Sequence, residues 1–136
     1  LDNGGEAALA SWGLSPRAPA ASWRRALPPG TEAFLRALPL CHRVGPYVFV
    51  HAGLRPGIAL AAQTPEDMMW IRAPFLDHAG PLGIPDAPGI VVVHGHTPVP
   101  LPVVTAQRIG LDTGAVLGGP LTCGVLDGSR LRFLCA

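Results

Sequence analysis

The order of segments along the chain predicts an α/β (α+β) domain built on a sheet, in which short helices come first, buried strands follow and a hairpin closes the chain. Three observations carry this. Gly89-Ile-Val-Val-Val93 is a continuous apolar run of β-branched residues, the mark of a strand buried on both faces. Residues 41–44, a Gly45-Pro46 turn and residues 47–50 read as a hairpin whose second strand is heavily buried. Residues 121–126 and 130–134 flank Asp127-Gly128, a pair suited to a two-residue hairpin turn.

Taken in order, residues 6–11 read as a short helix stopped by Gly13 in a left-handed cap. Residues 14–30 are rich in Pro, Ala and Arg and read as an irregular but packed connection, held by Trp23 and Leu27. Thr31 is placed to cap a helix reaching Leu38, with Phe34, Leu35 and Leu38 on one face. After the first hairpin, Thr64-Pro65-Glu66-Asp67 offers a cap, a proline for the first turn and two acids, so a helix is expected through Met68, Met69 and Trp70. Residues 76–88 carry the Pro, Gly and Asp of a surface loop, and a further strand is expected at residues 107–111.

Composition narrows the function. A chain of 136 residues with 49% hydrophobic content can bury a core, so one globular unit or part of one is expected. The formal net charge is only +1 and charged residues make up 14%, which leaves no broad basic face for a string of phosphates and argues against nucleic acid. Every apolar run is interrupted before it reaches membrane-spanning length, and the start does not read as a secretory signal, so no membrane partner and a cytoplasmic location are expected. All ten basic residues are Arg, which we read as coding bias in a GC-rich, bacterial genome. Cys41, Cys123 and Cys135 lack any paired spacing for zinc or redox chemistry and read as buried or unreactive thiols. The Gly-rich start at Leu1 rather than Met looks like an internal point of a longer sequence.

Two histidines follow the two most buried strands: His51 in V-H-A-G and His96 in H-G-H-T-P. Strand ends of α/β sheets gather ligands, and a neutral imidazole suits zinc, manganese or iron, yet one His from each of two loops leaves a coordination shell unfilled. For either residue alone a packed strand-end histidine is the better reading; together the two readings draw level. Arg72, after Met68-Met69-Trp70-Ile71, could fork onto phosphate oxygens, although from position alone a surface arginine is favoured. Asp112 could stand behind a metal-binding His, or equally start an Asx turn. Gly114, Gly118 and Gly119 are followed by no Gly-Lys-Ser/Thr, which excludes a P-loop.

The series W-G-L, F-L-R-A-L-P, V-F-V-H-A-G-L-R-P-G, W-I-R-x-P-F, V-V-H-G-H-T-P and L-D-T-G-A-V-x-G-G-x-L-T resembles, in order and over essentially the whole chain, the C-terminal two-thirds of calcineurin-like metallophosphoesterases of the bacterial protein-phosphatase type. It is close to the bacteriophage lambda phosphatase and to symmetrical dinucleoside-tetraphosphatases. The resemblance implies a metallophosphoesterase-type β-sandwich of mixed sheets flanked by helices, with residues 1–136 as the C-terminal portion of one domain. It implies two divalent ions (manganese, or iron or zinc), with His51 and His96 as ligands of one of them and Arg72 on the substrate phosphate. Asp112 remains a possible partner behind the metal-binding histidines, and His94 a strand-end residue.

The family's G-D-x-H-G, G-D-x-x-D-R-G and G-N-H-E motifs are not in the sequence. They would supply the other metal ligands, a second phosphate-binding Arg and the His that protonates the leaving group, so no catalytic acid is assigned here. Leu1-Asp2-Asn3-Gly4-Gly5 resembles the stretch that follows G-N-H-E, which places the missing part N-terminal. The expected activity of the complete protein is metal-dependent hydrolysis of a phosphomonoester, on a protein Ser or Thr or on a small molecule. The alternatives are hydrolysis of diadenosine tetraphosphate and a non-catalytic fragment or pseudo-enzyme. The 136 residues alone are expected to be inactive.

Overall fold

The computed structural model of the protein describes residues 4–136. The Leu1-Asp2-Asn3 part of the start that resembles the stretch after G-N-H-E lies outside them. The chain divides into two units, Leu1–Pro39 and Leu40–Ala136.

In the first unit the expected helix is α1 (Gly5–Ser11), which buries Leu9 and ends where Gly13, at φ 71°, donates to Ala10 O. The expected irregular stretch holds a second helix, α2 (Ala20–Ala26). Its prolines sit outside the helix, Pro19 at the cap and Pro28 beyond the end, where they start and stop a helix instead of breaking it. Trp23 Nε1 donates to Ser15 O at 3.2 Å, tying α2 to the segment before it. The third helix, α3 (Thr31–Ala37), is capped by Gly30 at φ 85°. Thr31 is its first helical residue and makes no capping bond, which corrects the expected cap. Phe34, Leu35 and Leu38 are exposed.

The second unit is a sheet with a hairpin. Strands β1 (Cys41–Val44), β2 (Tyr47–Val50), β3 (Val91–His94), β4 (Val103–Val104) and β5 (Arg108–Gly110) form a mixed sheet in the order β1-β2-β3-β5-β4. The β1–β2 pair is the expected antiparallel hairpin. β2, β3 and β5 are mutually parallel neighbours, so β3 is central, as its apolar run requires. The two-residue edge strand β4 was not legible: directly preceded by Pro100-Leu101-Pro102, it reads as loop. β6 (Thr122–Asp127) and β7 (Arg130–Cys135) form a separate antiparallel pair; Asp127 pairs with Arg130, so the two-residue turn is Gly128-Ser129, one position beyond the expected Asp127-Gly128, with Gly128 at φ 59°.

Alternation along the strands sets two faces. Val48 and Val92 are register partners and both fully buried; against this face pack Met68 of α4 (Pro65–Trp70), Ile71, and Phe75 of α5 (Ala73–Leu76). Residues 77–90 complete this core. The expected surface loop is irregular and mostly exposed, as its Pro and Gly dictate, but it also turns Leu82, Ile84 and Ala87 inward to the core, which its composition did not announce. It is tied down by Asp86, whose carboxylate accepts from the Leu60 and Ala61 N–H groups at 2.6 and 3.1 Å. On the other face Tyr47 Oη donates to Gly128 O at 3.0 Å, and the Leu111 side chain lies against Gly124 of β6.

Of the thiols expected to be buried or unreactive, none is buried: Cys123 and Cys135 are exposed and Cys41 half-buried, all three free. The first two lie on a two-stranded hairpin, which leaves one of its faces in solvent. Among the described residues no helix is long and apolar enough to cross a membrane.

Candidate functional site

Parallel neighbours place the loops that follow them at one edge of a sheet. His51 directly follows β2, His96 comes two residues after β3, and Asp112 two residues after β5. Gly95 N donates to His51 O at 2.9 Å and Leu111 N to His94 O at 2.9 Å, continuing the ladders beyond the strands. Residues 45 positions apart are thereby brought together: His51 Nε2 and His96 Nδ1 face each other at 3.1 Å, with ring centroids 4.9 Å apart.

His96 is the one non-glycine among the described residues with positive φ, at 68°. A left-handed backbone costs an L-residue about 1–2 kcal/mol and is most often tolerated where the surroundings fix it. Here those surroundings are the ladder bond at Gly95 and a T-shaped contact with Trp70, centroids 5.5 Å apart. Glycine adopts this backbone freely, so His96→Gly is expected to be more stable than His96→Ala by about 1 kcal/mol, readable as a difference in urea midpoint. Equal midpoints would mean that the backbone relaxes without the imidazole.

Burial pushes the His96 pKa below the ordinary histidine value; the charge of Arg72 and then that of His51 add to this, and Asp112 opposes it. The imidazole is therefore neutral at neutral pH, the form that offers a lone pair. Its Nε2 is buried and without a hydrogen-bond partner. Two nitrogens bound to a single ion at about 2.0–2.1 Å stand about 2.9–3.4 Å apart for angles between octahedral and tetrahedral. The observed 3.1 Å falls inside that range. Among the described residues no group of three or more His, Cys, Asp or Glu side chains is arranged to hold an ion, so the pair is part of a shell.

Arg72 is exposed at the start of α5 and lines an open cleft of about 490 Å³ with Arg55, Glu66 and Trp70. Its charge acts on His96 across that corner. Asp112 comes near without bonding to either imidazole: its Oδ1 accepts from Gly114 N at 3.0 Å, the Asx-turn geometry. His94 is buried against Phe75, centroids 5.0 Å apart, on the core side of β3, and its Nε2 also lacks a partner.

Two features escaped the sequence reading. Arg55 donates through Nε and Nη2 to the buried Asp67, which also accepts from Thr64 Oγ1 at 3.0 Å. The Arg55 bonds hold the Asp67 carboxyl below the usual carboxylate range. The acid read as a first-turn dipole residue thus also pins α4 to the loop after His51. Trp70, read only as part of the apolar run at the end of its helix, is 52% exposed. The signal for the pair was an arginine four residues after His51, within reach of an N-terminal helix acid.

No protein-family profile matches the chain. Among curated proteins it is similar to the bis(5′-nucleosyl)-tetraphosphatase PrpE (asymmetrical) of Geobacillus sp. (strain WCH70), with 30% identity over 116 residues, covering 72% of this chain and 47% of the relative. The chain thus spans about half the length of the curated relative it matches. Among solved structures it is similar to a crystal structure of "a putative diadenosine tetraphosphatase", with a TM-score of 0.59 and 22% identity, covering 85% of this chain and 59% of the other. The chain shares that α+β fold with its mixed sheet, as the sequence predicted. Both relatives carry tetraphosphatase names; neither is named a protein phosphatase.

Proposed function

We propose that the protein carrying this sequence is a metal-dependent hydrolase of dinucleoside tetraphosphates, the alternative read from the sequence and not its main phosphomonoesterase reading. The observation that carries the proposal is the convergence of His51 Nε2 and His96 Nδ1 at 3.1 Å beside Arg72. The tetraphosphatase names of the two relatives favour a phosphoanhydride over a phosphoprotein as substrate.

In this reading His51 and His96 hold one divalent ion, and the rest of the ligands are sought in the half of the relative that this chain does not span. The separation of the two nitrogens and the neutral state of His96 support that fit. Two imidazoles alone do not select among manganese, iron and zinc. When bound, divalent ions supply a water of lowered pKa and neutralise charge on a phosphate. Arg72 draws the polyphosphate into the cleft, and its planar donors orient one phosphate for in-line attack. The Trp70 ring packs on His96 and keeps water from one side of it, while the Gly95–His51 bond prevents the two imidazoles from drifting apart.

The test is product analysis. The full protein, with a divalent metal and diadenosine tetraphosphate, is expected to release adenosine phosphates, separable by anion exchange, at a higher kcat/KM than it releases phosphate from a phosphoserine peptide. Two ADP would mean cleavage at the middle bridge, whereas ATP plus AMP would mean the unequal cut in the relative's name. Faster turnover of the phosphopeptide would return the assignment to the protein-phosphatase reading.

A further inference from the structure

We infer that the cleft beside Arg72 is a nucleobase site, with the Trp70 indole as its stacking platform. The inference rests on the proposed polyphosphate reading of Arg72 and goes on to say what holds the nucleoside. α4 turns Asp67 and Met68 inward but leaves Trp70, its last residue, 52% exposed. Trp70 lines the same cleft of about 490 Å³ as Arg72, a volume within the usual range for small-molecule sites. Its ring is held at 86° to that of His96, so the indole is fixed in orientation by the residue that would also hold the ion. A second anchor acts from below: Arg55 and Thr64 both bond Asp67, three residues before Trp70 on the same short helix.

A dinucleoside tetraphosphate has a flat, apolar base at each end of a polyanion. A site for one half of it needs a cation for phosphate and, within one nucleotide's reach, a rigid aromatic face. Arg72 and Trp70, two residues apart, supply that pair. A tryptophan serving only as core would have been turned inward with Met68, and one serving only as a cover for His96 would not need a cleft along its side.

Binding of ADP and of pyrophosphate, its base-free counterpart, should be measured calorimetrically on the full protein and on Trp70→Ala and Trp70→Phe variants. Base–aromatic stacking corresponds to a loss of about fivefold or more on removal of the ring. The expected result is that Trp70→Ala weakens ADP by about that factor more than it weakens pyrophosphate, and that Trp70→Phe keeps most of the difference. Equal loss on both ligands would make Trp70 a positioning residue for the phosphate site and overturn the inference. No loss on ADP, or no binding of either ligand by the native protein, would also overturn it. Hydrolysis of diadenosine tetraphosphate, assayed in parallel, keeps the two proposals apart: no turnover with the ADP preference intact removes the reaction and leaves the base site standing.

Discussion

On the proposed metal-dependent reading, alanine at His51 or at His96 is expected to abolish divalent-ion binding at the pair and lower hydrolysis by the full protein by at least about a hundredfold. Removal of a mere outer partner of a metal ligand already costs about 10–100-fold, and a direct ligand should cost no less. Because the two imidazoles face a single point from adjacent strand ends, they should act as a unit. The double variant is therefore expected to lose hardly more than either single one, the non-additivity typical of groups sharing one task. Metal content after dialysis and kcat/KM, measured on the three variants, decide the matter. Retained metal with an unchanged rate in either single variant would show that the 3.1 Å contact is only a hydrogen bond between two histidines.

A large stability effect is expected at Gly53, in the V-H-A-G segment. A Cβ built there would come within 2.3 Å of the Phe75 ring, and Phe75 is 1% exposed at the centre of the core. The ring cannot swing out of the way, so Gly53→Ala is expected to reach the upper end of overpacking costs, about 3 kcal/mol. In a unit of this size that lowers the melting temperature by roughly 12–24 °C. Gly95, the first residue after β3, gives the contrast: its added Cβ would meet Asp112 Cβ at 3.5 Å, an ordinary contact, so Gly95→Ala should unfold close to the native temperature. Thermal unfolding followed by circular dichroism distinguishes the two, and similar melting points for both variants would show that Phe75 has room to move.

Much of this architecture was legible because the signals were local. The β-branched run 89–93, the Thr64-Pro65 start of α4 and the Asp127-Gly128 pair each announce an element by residue type alone, and each element is present, the hairpin turning one residue later, at Gly128-Ser129. What failed was decided by surroundings. The Pro- and Ala-rich stretch around α2 looks irregular until its prolines are seen to lie outside the helix. Residues 82, 84 and 87 sit in a segment with loop composition, and only the sheet beneath them makes them core. At the site, the strand ends marked His51 and His96, but the facing of Nε2 on Nδ1 follows from parallel pairing between segments some forty residues apart, which no local pattern encodes. Trp70 was placed in its helix by the same local signals, but which way the helix turns it was set by the core that takes Asp67 and Met68.

The parallel pairing of β2 with β3 also makes the histidine pair a gauge of correct assembly. One residue of strand is about 3.3 Å long, so a slip of a single position would roughly double the gap between the imidazole nitrogens and turn alternate side chains to the wrong face. A mispaired sheet could bury nearly as many valines, since Val91, Val92 and Val93 are interchangeable in type. It could not bring His51 and His96 to one point. Any ion that needs both nitrogens would then act as a proofreader of the fold, binding and stabilising only chains whose central strands found their proper register.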